Sequence, residues 1–255
     1  MDYFNSYEEA QNILRTRNNG LFNLGSTHVG IIGLGAIGSF TASALARSAV
    51  GHLTIFDDDT VAPENIGVQD FTVPQIGQYK SDAVEQNCKS INPSLYIQKE
   101  HYRVSGQTLP YHLRQTDQTI HVMAVDSMEQ RAIIAKAYYE WLNNGQNGTR
   151  KNRLLIDARM GGETLQLHLF ETYSDRSKKS DDLHTYMDTW YSDEDGDIEP
   201  CARRATAYCS SFAGSMITSE LVKWVQGNPI RTKSLVFNFP SLLLDVDVVN
   251  PVVES

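Results

Sequence analysis

The chain has 255 residues, 41% of them hydrophobic and 21% charged, with 17 Gly and 8 Pro. These proportions suit one sizeable globular domain and exclude global disorder and fibrous repeats. A net charge of −9 argues against broad nucleic-acid binding, no apolar run reaches the ~18 residues that a membrane span needs, and three cysteines without a C-x-x-C pair build neither a disulfide framework nor a zinc ribbon.

In chain order, Met1-Asp2-Tyr3-Phe4 has no basic region ahead of an apolar stretch, so a cytoplasmic location with reduced thiols is expected. His28 to Ile32 reads as a short buried strand, Ser39 to Ala49 as a small-residue helix, and His52 to Phe56 as a second strand that ends in three aspartates. A helix over Ser81 to Ile91 stops before Asn92-Pro93, strands follow at Tyr96 to Val104 and Thr119 to Val125, and Ser127 to Leu142 is a long helix. This alternation is the pattern of βαβ units around a parallel sheet. From Leu154 the pattern changes: two strands, Leu154 to Ala158 and Thr164 to Phe170, are joined by Met160-Gly161-Gly162, and the second alternates as antiparallel strands do. A helix from about Ala202 to Val225 and strands at Ser234 to Phe239 and Leu242 to Val249 complete the chain. The expected fold is α/β: a Rossmann-like, doubly wound, mostly parallel sheet with a C-terminal antiparallel extension, in a single domain spanning 1–255. Between Ser174 and Pro200, nine Asp/Glu stand against three Lys/Arg with few aliphatic residues. This 174–200 segment reads as an acidic, mobile crossover loop, either simply solvated or acting as a lid over a threaded tail.

Gly33-Leu34-Gly35-Ala36-Ile37-Gly38 is a G-x-G-x-x-G that follows a strand and opens a helix. Glycine lets the backbone approach a phosphate, and the helix N-terminus offers free N–H groups. Asp57, 19 residues beyond Gly38, lies where a carboxylate can accept ribose hydroxyls. These features alone do not choose between NAD, FAD and ATP. Lys80, Asp126 and Arg131 do: a dehydrogenase has no use for a lysine and a second carboxylate aimed at a phosphate chain. An enzyme that breaks the α–β phosphate bond does, because lysine neutralises phosphate charge and an Asp after a parallel strand can hold Mg²⁺.

The glycine turn, the D-x-D-x-V-x-x-x-N run from Asp57 through Asp59 to Asn65, the G-x-x-K from Gly77 to Lys80, Asp126 with Arg131, and Arg159-Met160-Gly161-Gly162-Glu163 together resemble the ThiF/MoeB adenylyltransferases, the superfamily of ubiquitin-activating enzymes. The resemblance covers residues 28 to 170 well and the helix at 202–225 more loosely. It implies binding of ATP and Mg²⁺, adenylation of the C-terminal carboxylate of a ubiquitin-like or sulfur-carrier protein with a glycine tail, and release of pyrophosphate. It also implies a homodimer, with the strand after Met160-Gly161-Gly162 as an interface element. Gly33, Gly35, Ala36, Ile37, Gly38 and Asp59 would meet the nucleotide, Asp57 would hold its ribose, Asn65 and Lys80 its phosphates, and Asp126 the Mg²⁺. Arg131 completes the catalytic group. A surface role for Lys80 and a helix N-cap role for Asp126 are the structural alternatives.

The sequence departs from that family at Val68, where relatives commonly have an arginine three residues after the asparagine. This departure favours a non-catalytic partner subunit as one rival reading; an NAD- or FAD-dependent oxidoreductase is the other. Arg15 or Arg17 are candidates for an arginine given to a partner subunit's site. Cys201, after the acidic run and beside Arg203 and Arg204, reads as the opening of a helix, which would favour the thiolate and allow it to receive the activated carrier. Nearby Asp195, Asp197 and Glu199 oppose this, and a packed cysteine is the alternative. Cys88 and Cys209 read as core, and His52, His121 and His168 as packed, neutral strand histidines.

Overall fold

The computed structural model describes residues 7–18, 20–109, 119–143, 152–172, 186–189, 205–228 and 232–248. Among these, α1 (Tyr7–Arg15) precedes β1 (His28–Ile32), α2 (Ala36–Arg47), β2 (His52–Phe56), α3 (Lys80–Ile91) and β3 (Tyr96–Glu100). Then come β4 (Ile120–Met123), α4 (Met128–Asn143), β5 (Arg153–Gly161), β6 (Thr164–Thr172), α5 (Ala207–Val225), β7 (Thr232–Asn238) and β8 (Leu243–Val248). The strands form one eight-stranded sheet in the order β3-β2-β1-β4-β5-β6-β7-β8. Pairing is parallel from β3 to β5 and antiparallel from β5 to β8.

The inner parallel strands β1, β2 and β4 are largely apolar because both faces are covered, whereas the edge strand β3 carries Gln98, Lys99 and Glu100. Ile31, Ile55, Val122 and Ile156 point into a core shared with Ala42, Leu45, Ala83 and Ala213 of α2, α3 and α5. Their neighbours Ile32, Phe56, Met123 and Leu155 point the other way, against Ile134, Ala135 and Tyr138 of α4. The small residues of α2 permit close packing: a Cβ on Gly214 of α5 would lie 2.9 Å from the Phe40 carbonyl. The chain leaves β1 toward β2 on one side, while β4 pairs on the other side. The connections therefore part between β1 and β4, where open α/β sheets gather their ligands.

Several boundaries differ from the sequence expectations. β3 stops at Glu100 rather than Val104, and α2 begins at Ala36, inside the glycine turn. α5 begins at Ala207, not Ala202, because Thr206 caps it by accepting the Cys209 N–H at 3.4 Å and Ala205 bridges in parallel to Gly162. Cys201 therefore does not open this helix, and it lies, with most of 174–200, outside the described residues. β6, the expected interface element, pairs with β5 along its whole length and with β7 over Thr164–His168. His52, at the first position of β2, is exposed, with its ring 5.6 Å from those of His28 and Tyr96, whereas His121 is fully buried. Cys88 and Cys209 are buried as expected, and burial pushes their thiols up to about 12 and about 11. No described helix is long and apolar enough to cross a membrane.

Candidate active site

At the β1/β4 division the C-terminal ends of the parallel strands open into a cleft of about 520 Å³. Its floor is the glycine turn. Gly33 takes φ 91°, and a Cβ there would meet the Ala124 carbonyl at 2.7 Å, so only glycine fits between β1 and β4. Nothing lies within 4 Å of a Cβ built on Gly35, which therefore presents bare backbone to the open space. α2 starts at this point with no side-chain cap, and its first N–H groups are left for a ligand. Gly38 does not line the cleft: its Cβ would fall 1.9 Å from the Gly33 carbonyl, so this glycine closes the turn instead of touching a ligand.

Asp57 braces the turn from the end of β2. Its Oδ2 accepts the Leu34 N–H at 2.6 Å and its Oδ1 the Asp59 N–H at 2.9 Å. Burial raises its pKa, against the opposing pull of Lys80 and these two N–H groups. The run after Asp57 then folds back on the segment before α3. Val61 N–H donates to the Gln78 carbonyl at 2.8 Å, Gly77 N–H to Val61 at 2.9 Å, and Lys80 N–H to Asp59 at 2.9 Å. Gly77, at φ 87°, makes the turn that this ladder requires. Lys80 thus enters the cleft as the first residue of α3, buried, with Nζ 2.8 Å from Asp59 Oδ2. Asn65 uses Oδ1 to accept the Ala62 N–H at 2.8 Å, and its Nδ2 makes no hydrogen bond among the described residues.

Asp126 follows β4 and is exposed in the cleft wall. The N-cap of α4 is Ser127, whose Oγ accepts the Gln130 N–H at 3.2 Å, so capping does not use the Asp126 carboxylate. The Asp57, Asp58 and Asp59 carboxylates also lie within 4.8 Å of one another. However, Asp57 is held by two N–H groups, Asp59 by Lys80, and Asp58 faces Arg103 at 3.7 Å. Asp126, like Glu64 in the cleft lining, is a carboxylate available to a cation, and the open glycine turn with Lys80 suits a phosphate chain.

Of the residues expected to act, Gly33, Gly35, Ala36, Ile37, Asp57, Asp59, Asn65, Lys80, Asp126 and Arg131 all line this one cleft, and Val68 lines it too. Arg15 and Arg17 do not. The sequence reading missed a buried ionic group at the β5 end. Asp157 binds Arg131 Nη1 through Oδ1, and through Oδ2 it binds Arg159 Nε at 2.8 Å and the Tyr186 hydroxyl at 2.7 Å. Arg131 also donates to the Val125 carbonyl, and Arg159 donates to Thr189 O at 2.8 Å and Thr189 Oγ1 at 3.1 Å. Burial alone would raise the Asp157 pKa, but Arg131 and Arg159 overcome it and hold the carboxyl below its ordinary value. One signal was available: an aspartate in the apolar strand Leu154-Leu155-Ile156-Asp157-Ala158 needs buried cationic partners.

The chain resembles several known proteins. It is 36% identical over 83 residues to ubiquitin-like modifier-activating enzyme 5 of Dictyostelium discoideum, a match covering 32% of this chain and 22% of that protein. It is 28% identical over 132 residues to the enzyme of that name from Oryza sativa, covering 46% and 31%. The matched stretches thus span under a third of these relatives' length. Among solved structures, PaaA superposes with a TM-score of 0.71 at 16% identity, covering 98% of this chain and 86% of that one. Escherichia coli MccB, solved with ATP, superposes with a TM-score of 0.68 at 14% identity, covering 96% and 70%. At such identities the likeness is one of fold, and both share the Rossmann-like arrangement described above. The ThiF family model matches residues 9–251, a span that takes in every strand of the sheet and every wall of the cleft, and the chain belongs to that family.

Proposed function

We propose that this protein activates a C-terminal carboxylate by ATP-dependent adenylation. The observation that carries the reading is one cleft in which an uncapped helix N-terminus, Lys80, Asp126 and Arg131 face a common space. Ribose hydroxyls are accepted at Asp57, beside Asp59, while the N–H groups of Gly35, Ala36 and Ile37 meet phosphate oxygens. Asn65 Nδ2 and Lys80 Nζ donate to the phosphate chain, and a phosphate that draws Lys80 from Asp59 exchanges one anion for another at the same ammonium. A carboxylate oxygen of the partner attacks the α-phosphorus, the bond to the bridging oxygen breaks, and pyrophosphate leaves with that electron pair. Asp126 would hold Mg²⁺, which supplies charge neutralisation when bound.

The partner in this reading is a ubiquitin-like or sulfur-carrier protein with a glycine tail. The relatives named as ubiquitin-like modifier-activating enzymes support it, as does the fold shared with MccB, solved with ATP and with MccA. A cytoplasmic homodimer is part of the proposal, with β6 as an interface element. Transfer to Cys201 rests on chain reach. Ala205 lines the cleft, and the four residues back to Cys201 span at most about 14 Å.

The test is exchange of labelled pyrophosphate into ATP, with full-length chain and candidate glycine-ended proteins. Exchange that needs both Mg²⁺ and one carrier is the expected result. Binding of NADH in preference to ATP would instead support the oxidoreductase reading. Val68 in the cleft supports a second reading, a non-catalytic partner subunit, and ATP binding with no exchange for any carrier would select it.

A further inference from the structure

Two buried guanidinium groups share one carboxylate in the cleft wall. Arg131 and Arg159 are 4% and 3% exposed, and both line the cleft while binding Asp157. No other carboxylate among the described residues forms an ion pair with either. His168, opposite Asp157 across the β5–β6 pair, adds no charge, because burial and then the Arg159 charge push its pKa down to about 4. Buried charges persist when paired and hydrogen-bonded. Two cations against one anion leave a positive charge directed at the cleft.

The hydrogen-bond inventory points the same way. Arg131 uses one N–H of each Nη, toward Asp157 and Val125, so its Nε–H and a second N–H on each Nη carry no bond among the described residues. Arg159 donates from Nε to Asp157 and from Nη1 and Nη2 to Thr189, and its Nη2 also lies 2.7 Å from Asp157 Oδ2. The turn that holds Arg159 is itself closed, with Thr189 N–H donating to the Tyr186 carbonyl at 3.1 Å and Thr189 Oγ1 donating to it at 2.7 Å.

We infer that Arg131 and Arg159 form a two-guanidinium receptor for an oxyanion in the cleft, with Asp157 as the positioning residue that sets both forks. Arg159 thereby supplies the positive charge that Val68 does not. Phosphate and carboxylate both offer the paired oxygens that a guanidinium fork matches. β5 lies one strand beyond β4, on the side of the sheet away from Asp57. The anion is therefore at the end of the nucleotide far from the ribose, or is the attacking carboxylate itself. Its identity as one of these rests on the adenylation reading; the receptor's chemistry does not.

Calorimetry on the full-length chain tests this with four probes: inorganic pyrophosphate, ATP, adenosine, and acetyl-Gly-Gly as free acid and as amide. Wild type binds pyrophosphate or the free acid, and whichever it binds names the anion. R159Q weakens that anion at least tenfold and leaves adenosine unchanged, R159K recovers part of the loss, and D157N weakens the same anion. R159Q binding both anions within twofold of wild type overturns the inference, as does wild type that binds neither. Unaltered anion binding in D157N overturns the positioning role. Should R159Q fail to fold, R159K carries the test, since a compact ammonium keeps the charge but loses the fork. Wild type that binds an oxyanion through Arg159, yet neither adenosine nor ATP, keeps the receptor and removes the adenylation reading.

Discussion

In the parallel half of the sheet, from β3 to β4, the residues facing the cleft come from strand ends and the turns directly after them. Asp57 touches the turn that follows β1, and Lys80 reaches Asp59 through a ladder closed within about twenty residues of chain. Toward the antiparallel half the cleft is walled by Arg131 and Arg159, which are held by a buried group drawn from four distant segments. Asp157 on β5 gathers Arg131 from α4, Arg159 from its own strand and Tyr186 from the crossover, and β6 brings His168 opposite. The first half is local geometry built around backbone N–H groups. The second is a buried charge balance, which holds only while all its members are present.

That contrast predicts where stability and activity separate. Asp157→Ala leaves two buried guanidiniums without their carboxylate, and about 3–5 kcal/mol of unfolding free energy should be lost. Urea denaturation measures it, and a loss below about 1 kcal/mol would mean that the antiparallel half is not held by this group.

His168 tests the same group through pH. Its folded pKa of about 4 lies below the ordinary 6.5, so between those values the unfolded chain takes a proton that the folded chain refuses. Stability is therefore fully present above the ordinary value and falls as pH drops through this window, by about 2 kcal/mol between pH 7 and pH 5 from this residue. His168→Gln should flatten that slope. An unchanged slope in the variant would place the titration elsewhere.

Asp126→Ala probes the parallel half, where function and folding should part. Mg²⁺-dependent pyrophosphate exchange is expected to fall by about 10²-fold or more, with little change in melting temperature, because this exposed carboxylate bonds no described residue. Normal exchange in the variant would remove Asp126 from the metal. The smallest expected effect is that of Cys201→Ala on exchange, which should stay at the wild-type rate. Loss of a hydroxylamine-sensitive carrier adduct in the same variant would establish transfer to the thiol, and persistence of the adduct would exclude it.

From β1 onward the order of strands and helices, the parallel-to-antiparallel change near Leu154, and the glycine turn with Asp57, Asn65, Lys80 and Asp126 were legible in the chain, whereas α1 was not. Each is written in local form. Buried parallel strands must be apolar, a phosphate turn must be glycine-rich, and a residue that begins a helix or follows a strand has its direction set by that element. Three points were decided only by tertiary structure. Gly38 packs against Gly33 instead of meeting a ligand, because the turn folds onto its own carbonyl. α5 starts at Ala207, because Ala205 is held by Gly162 and Thr206 supplies the cap, which removes the helix start from Cys201. The pairing of Arg131 and Arg159 on Asp157 brings Arg131 to a carboxylate 26 positions away, an attraction that is weak in water and becomes decisive only when packing takes all three out of solvent.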